Sequence, residues 1–131
     1  MKRMSVVTVL VRDQDEAIAF YRDTLGLQLI EDAAFGPERW VTLRAPDDEC
    51  VSVSLCLATS DDDLLLVGRQ AGSRPLFALA VDDCIGEYRR MRALGVAFRG
   101  EPDVRPYGTG VVLADLYGNS IYLNEEPVGA R

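Results

Sequence analysis

The chain has 131 residues, enough for one domain or for two small halves sharing a core. Its formal net charge of −7, with 14 basic and 21 acidic side chains, repels a phosphate backbone, which excludes nucleic acid as the expected partner and favours a cationic ligand at long range unless the charge serves solubility alone. No apolar run approaches the ~18 residues needed to span a bilayer, and Met1-Lys2-Arg3-Met4-Ser5 leads straight into a strand pattern rather than a secretory leader, so no membrane contact and a cytoplasmic location are expected.

Residues 4–12 alternate, with Val7, Val9 and Val11 on one face and Val6, Thr8 and Leu10 on the other, which predicts a strand apolar on both sides. Asp13 with Glu16 three residues later has capping-box spacing and opens a helix over about 14–24 carrying Ala17, Phe20, Tyr21 and Leu25. Gly26 suits the left-handed conformation that closes it. Strands are expected at about 27–31, 39–44 and 50–58, so the first copy, about 4–58, reads βαβββ. The linker 59–74 contains Asp61-Asp62-Asp63, which suits a short helix start or solvent better than a cation.

The second copy, about 75–125, repeats the order with an offset near 70. A strand over 75–82 carries Phe77, Leu79 and Val81. Asp83 opens a helix over about 84–94 with Ile85, Tyr88, Met91 and Leu94, and Gly95 closes it. Strands follow near 96–100, 109–114 and 119–124. The helix is one residue shorter than in the first copy. The fold class is therefore α+β, two βαβββ repeats in one domain over 4–125. The apolar sets Val7/Val9/Val11, Val41/Leu43, Val51/Val53/Leu55, Phe77/Leu79/Val81, Val111/Leu113 and Ile121/Leu123 are expected under the helices, since a one-residue slip would exchange both faces. Three cysteines, Cys50, Cys56 and Cys84, lack metal-site spacing and are expected as reduced buried thiols.

The opening Val7/Val9/Val11, Asp13, Ala17, Phe20-Tyr21, Leu25-Gly26 and the closing Tyr107-Gly108 with Asp115-Leu-Tyr-Gly-Asn-Ser-Ile-Tyr-Leu123 resemble the glyoxalase/bleomycin-resistance/dioxygenase (vicinal oxygen chelate) superfamily over roughly 4–125. The resemblance implies a cup-shaped mixed sheet with helices on the outer face and a ligand cavity within. It places the metal ligands of metal-using relatives at Val6, Ser52, Leu76 and Tyr122. The chain has no histidine, and valine, leucine, serine and neutral tyrosine do not make a divalent-metal site, so no metal and no cofactor are expected and the metal-dependent activities of the superfamily are put in doubt.

On the expected cup face, Trp40 could stack on a flat ligand or pack against strands or a partner. Tyr122 could donate to a ligand oxygen, act as a weak acid or fill the cavity. Arg44 could pair a carboxylate or stay solvated, and Thr42, Ser52 and Ser54 could orient a polar ligand or bond one another. Arg105 and Tyr107 fall on the stretch that forms part of the rim in relatives. Glu31, Asp32, Glu38, Asp47, Asp48 and Glu49 form an acidic rim or a solvated turn. No nucleophile-and-base pair is legible, and no glycine-rich phosphate loop.

Three readings compete. The first resembles the bleomycin-resistance branch: a metal-independent antibiotic-resistance-type protein that sequesters an aromatic or cationic small molecule in a cup or dimer crevice. The second is a lyase or isomerase that works without the superfamily metal on an oxygenated small molecule. The third is a structural or regulatory dimer whose cavity is packed shut. A homodimer is expected in each.

Overall fold

The computed structural model describes residues 1–127 and comprises two units, 1–70 and 71 onward, each considered on its own. The first runs β1 (Val6–Val11), α1 (Gln14–Ile18), β2 (Gln28–Phe35), β3 (Glu38–Arg44), β4 (Ser52–Leu57) and α2 (Asp61–Leu66). The second runs β5 (Pro75–Ala80), α3 (Cys84–Ala93), β6 (Asp103–Arg105), β7 (Gly108–Ala114) and β8 (Ser120–Glu125). Each holds a four-stranded mixed sheet, ordered β1-β4-β3-β2 and β5-β8-β7-β6, in which the first and last strands of the unit run parallel and the others antiparallel. This is the α+β, twice-repeated βαβββ order expected from the sequence.

Both helices start as the sequence implies. The Asp13 carboxylate accepts from Glu16 N at 2.9 Å and the Asp83 carboxylate from Gly86 N at 2.9 Å, each satisfying an orphan donor of the first turn. Gly26 and Gly95 both take φ +91°, beyond the helix ends. The extra residue of the first copy is absorbed by winding: Ala19–Thr24 form a π-helical turn, with Leu25 N bonded to Phe20 O at 2.9 Å.

In the first unit Val9, Val11, Val41, Leu43 and Leu55 are fully buried, as are Ala17 and Tyr21 of the overlying helical segment. Gln14 is buried too, and its amide donates to the carbonyls of Arg39 (3.0 Å) and Leu55 (2.9 Å), so no donor is left orphaned there. The core of the second unit is Val111, Leu113, Ile121 and Leu123 with Cys84 and Met91 of α3. Phe77, Leu79 and Val81 are only half-buried, because β5 is an edge strand, and Ile85 and Leu94 are exposed rather than packed inward. Val7 and Val51, at the beginning of edge strand β1 and just before β4, are likewise half-buried.

Several expected boundaries change. The strand at 27–31 continues to Phe35, because Gly36-Pro37 makes a two-residue hairpin with Gly36 at φ +60°. The strand expected near 96–100 is reduced to one bridge, Phe98 to Leu113, with backbone bonds from Arg99 N to Val112 O and from Ala114 N to Ala97 O. Gly100 at φ +110° and Pro102, which has no N–H, interrupt it, and pairing resumes at β6. In β5 the register shifts between Pro75 and Phe77, which leaves Leu76 outside the ladder and sets Ala78 opposite Tyr122. Cys50 is exposed and Cys56 half-buried, so only Cys84 is the buried thiol the sequence implied.

In the linker, Ser60 Oγ accepts from Asp63 N at 3.1 Å and starts α2, whose first turn holds the three aspartates near its positive end. The side chain of Gln70 then caps the outer edge of β1: its Oε1 accepts from Leu10 N at 2.6 Å and its Nε2 donates to Thr8 O at 3.1 Å. No helix among the described residues is long and apolar enough to cross a membrane.

Two consequences are measurable. The buried Asp115 carboxylate accepts from Tyr117 N, Asn119 N and Asn119 Nδ2, each at 2.9 Å, and so closes the β7–β8 turn. Asp115→Ala orphans those donors, and urea unfolding is expected to show a loss of about 3 kcal/mol. Burial pushes the Cys84 thiol above its ordinary 9.0, with Glu125, Asp83 and Glu87 adding repulsion. A raised value means that the neutral thiol's contribution is complete below the ordinary thiol range and is lost as pH climbs through the raised one. Above pH 9.0 the wild type should lose stability more steeply with pH than Cys84→Ala, read from parallel urea titrations.

Candidate functional site

Five of the eight sequence-nominated residues fall on one face of the first sheet. Strand register sets them in transverse rows. One row runs Thr8, Ser54, Thr42, Glu31 across β1, β4, β3 and β2, one residue from each strand. Trp40, two residues before Thr42 on the same face, pairs with Ala33. Arg44, two residues after it, pairs with Gln28, and Ser52 pairs with Val6.

Hydrogen bonds organise this face. Glu31 Oε1 accepts from Trp40 Nε1 and from Thr42 Oγ1, both at 3.2 Å. Thr42 and Ser54 are each 1% exposed, and Ser54 Oγ lies 3.3 Å from Cys56 Sγ. Arg44 donates to the Glu49 carbonyl at 3.4 Å, which ties it to the following turn. Ser52 is held by its backbone, whose N–H donates to Ser5 O at 2.9 Å.

The sequence offered Glu31 only as one acid of a candidate rim, not as a member of the Trp40–Thr42 face. A bulge between Leu29 and Glu31 adds Ile30 to the strand without a partner and reverses the alternation beyond it. In regular alternation Glu31 would share the Leu29–Leu43 side; the bulge turns it to the side of Thr42 and Trp40. Two other acids of the supposed rim, Asp32 and Asp48, take structural roles. Asp32 lies on the opposite side of β2 and pairs with Arg39 at 2.8 Å, and Arg39 also reaches Asp15 at 2.8 Å. That guanidinium lowers the Asp32 carboxyl below its ordinary range, and Asp32, then Asp15, hold Arg39 firmly protonated. Asp48 accepts from the N–H groups of Cys50 (2.8 Å) and Val51 (3.1 Å), which lower its carboxyl likewise. It is a turn former, not a rim acid.

The remaining three nominated residues lie in the second unit, around a cleft of about 450 Å³ bounded by Arg99, Arg105, Tyr107, Tyr122 and Glu125 among others. That volume falls in the range of small-molecule sites, ~300–1,000 Å³. Tyr107 sits on the two-residue turn between β6 and β7 and is 77% exposed. Arg105 Nε bonds both oxygens of Asp103 at 3.0 Å, so its charge is already answered within its own strand. Arg99 donates to Gly118 O at 2.8 Å, and Glu125 Oε1 accepts from Cys84 N at 2.9 Å, which fixes both at the cleft by structural bonds. Sequence patterning did not mark Arg99 or Glu125 as site residues.

Tyr122, at 36% exposure, is the aromatic wall of this cleft, and its ring lies across Gly110. A Cβ on Gly110 would come within 2.6 Å of Cζ and 2.7 Å of Cε1, so glycine is what permits that ring position. Gly110→Ala is expected to cost about 1–3 kcal/mol through overpacking. If this contact is the cause, adding Tyr122→Ala should recover most of the loss in a double-mutant cycle of urea unfolding energies.

The four positions matched to metal ligands do not fit a divalent cation. Val6 and Leu76 carry no donor, and Ser52 and Tyr122 offer only hydroxyls. Among the described residues, no group of three or more His, Cys, Asp or Glu side chains could hold a metal.

Comparison with known proteins follows the same lines. An uncharacterised protein of Shewanella frigidimarina (strain NCIMB 400) is 39% identical over 115 residues, covering 86% of this chain and 85% of that one. The crystal structure of UcmS2 superposes with a TM-score of 0.83 at 33% identity, over 95% of this chain and 98% of that one. That of TnmS3, an antibiotic-binding protein from Streptomyces sp. CB03234, superposes with a TM-score of 0.80 at 27% identity, over 97% and 98%. The profile of the Glyoxalase/Bleomycin resistance protein/Dioxygenase superfamily matches residues 3–123, and with the twofold βαβββ order this shows that the chain belongs to that superfamily.

Proposed function

We propose that this chain is a small-molecule-binding protein that holds an aromatic or cationic ligand without chemistry and without a metal. The observation that carries the reading is the cleft of the second unit, where the rings of Tyr122 and Tyr107 and the heads of Arg99, Arg105 and Glu125 border about 450 Å³. Two aromatic rings set among charged side chains, Glu101, Asp103 and Glu126 included, suit a ligand that offers a flat ring for stacking and polar or charged substituents for hydrogen bonds. Two further facts support it. The donor set at the metal positions suits no divalent metal, and one of the similar structures is of an antibiotic-binding protein.

In this reading Tyr107, Arg105 and Tyr122 contact ligand in the second unit, and Trp40, Thr42, Arg44, Ser52 and Ser54 present the polar and aromatic face of the first. The working form is a homodimer in the cytoplasm. Binding without turnover removes a toxic compound from solution by mass action, which is how such a protein confers resistance.

The test is a thermal-shift screen of planar aromatic cations, anions and neutral compounds on tag-free protein, with each hit recovered and weighed by mass spectrometry. At least one compound should raise the melting temperature saturably, by the increment that its concentration and dissociation constant dictate, and return unaltered. A panel without stabilisation, or a hit recovered as a new species, contradicts the proposal. Light scattering at micromolar concentration should give the mass of two chains; a single-chain mass removes the dimer.

A further inference from the structure

We infer that Glu31 and Trp40 form a recognition pair for a planar ligand bearing a protonated nitrogen, so that the first unit selects for cationic aromatic compounds. The inference rests on the small-molecule reading above and names the ligand class and the residue that chooses it.

Glu31 is oriented by neutral donors and neutralised by none. Trp40 Nε1 and Thr42 Oγ1 both bond its Oε1 at 3.2 Å, and neither bond engages Oε2. Among the described residues it makes no salt bridge, whereas the adjacent Asp32 is fully paired with Arg39 at 2.8 Å. The bulge at Ile30 is what separates their fates. Without it Glu31 would point to the buried side of the sheet; with it, an unanswered carboxylate stands beside the chain's one tryptophan. Bulges re-aim single side chains in this way next to sites.

The other groups on the face do not compete for that charge. Arg44 faces the following turn, where it donates to the Glu49 carbonyl at 3.4 Å and its charge acts on Asp48, and Thr42 and Ser54 are buried hydroxyls. Thr42 is the floor on which the carboxylate rests. An indole face stacks on a flat ring and attracts cationic charge through its quadrupole, and a carboxylate beside it accepts a charge-assisted N–H bond from the ring's substituent. An amidinium or an aminomethyl group on a fused aromatic ring satisfies both. The chain's net charge of −7 draws such a cation in at long range.

The experiment uses two probes of one shape, 2-naphthamidine as the cation and 2-naphthamide as its neutral counterpart, titrated calorimetrically into wild-type protein, Glu31→Gln and Trp40→Phe. Glutamine keeps an oxygen that can accept both hydrogen bonds, so Glu31→Gln should fold with an unchanged melting temperature. The wild type should bind the cation at least about tenfold more tightly than the amide, the scale of one charge-assisted bond. Glu31→Gln should erase that preference and leave amide binding as it was. Trp40→Phe should weaken both probes while keeping the preference. If the cation binds Glu31→Gln as tightly as wild type, the inference falls and the small-molecule reading stands. If neither probe binds the wild type, the cationic-aromatic class is overturned, and the broader screen decides the wider reading separately. Where Glu31→Gln fails to fold, Trp40→Phe still decides: cation binding unaffected by loss of the indole contradicts the pair.

Discussion

Each unit buries one side of its sheet under a single helix, and the rest of the molecule depends on that asymmetry. Val9, Val11, Val41, Leu43 and Leu55 in the first unit, and Val111, Leu113, Ile121 and Leu123 in the second, are almost wholly removed from water. Side chains alternate along a strand, so committing these residues to the core hands their neighbours to the other face. Thr8, Thr42 and Ser54, and Tyr122 with Gly110, occupy their positions as a consequence of apolar packing one residue away. The hydrophobic set stabilises the fold, and through the pleat it also decides which polar and aromatic groups lie on the opposite face.

On that background two local departures carry the functional detail. A bulged Ile30 reverses the alternation of β2 and brings Glu31 beside Trp40 and Thr42. A glycine at 110 opens the surface of β7 so that the Tyr122 ring can lie across it. The first re-aims a side chain by breaking the ladder; the second leaves the ladder regular and makes room for a ring. The positions at which metal-using members of the superfamily place ligands hold two aliphatic side chains and two hydroxyls, which do not make a divalent-metal site.

Much of the architecture is legible in the residues. Asp13 and Asp83 mark helix starts, Gly26 and Gly95 mark their ends, and the 70-residue offset exposes the repeat. These signals are local: a cap is read from one carboxylate and the N–H three residues on, and a strand face from a period of two. What escaped the sequence is non-local or adds a residue without changing composition. The π turn at Ala19–Thr24 absorbs an extra residue that could as well have lengthened the helix by a regular increment. The strand expected at 96–100 satisfies the alternation rule, yet Gly100 and Pro102 break the ladder and move pairing to 103–105. Glu31 reads as a solvated acid at a strand end until the bulge is known. The role of Gly110 depends on Tyr122, twelve residues away on the next strand. Trp40, Thr42 and Tyr122 were nominated because they sit on a face opposite a clear apolar set. Arg99 and Glu125 were missed because nothing in their immediate neighbours signals a cleft.

The central claim is that ligand recognition here belongs to the side chains themselves and needs no bound cation. It is tested most directly by titrating 2-naphthamidine into tag-free protein dialysed against a chelator, and again after dialysis into manganese or zinc, with the metal retained per chain measured by mass spectrometry. The account predicts the same affinity in each case and far less than one metal per chain. Retention of about one metal per chain, with binding that appears only in its presence, would contradict it.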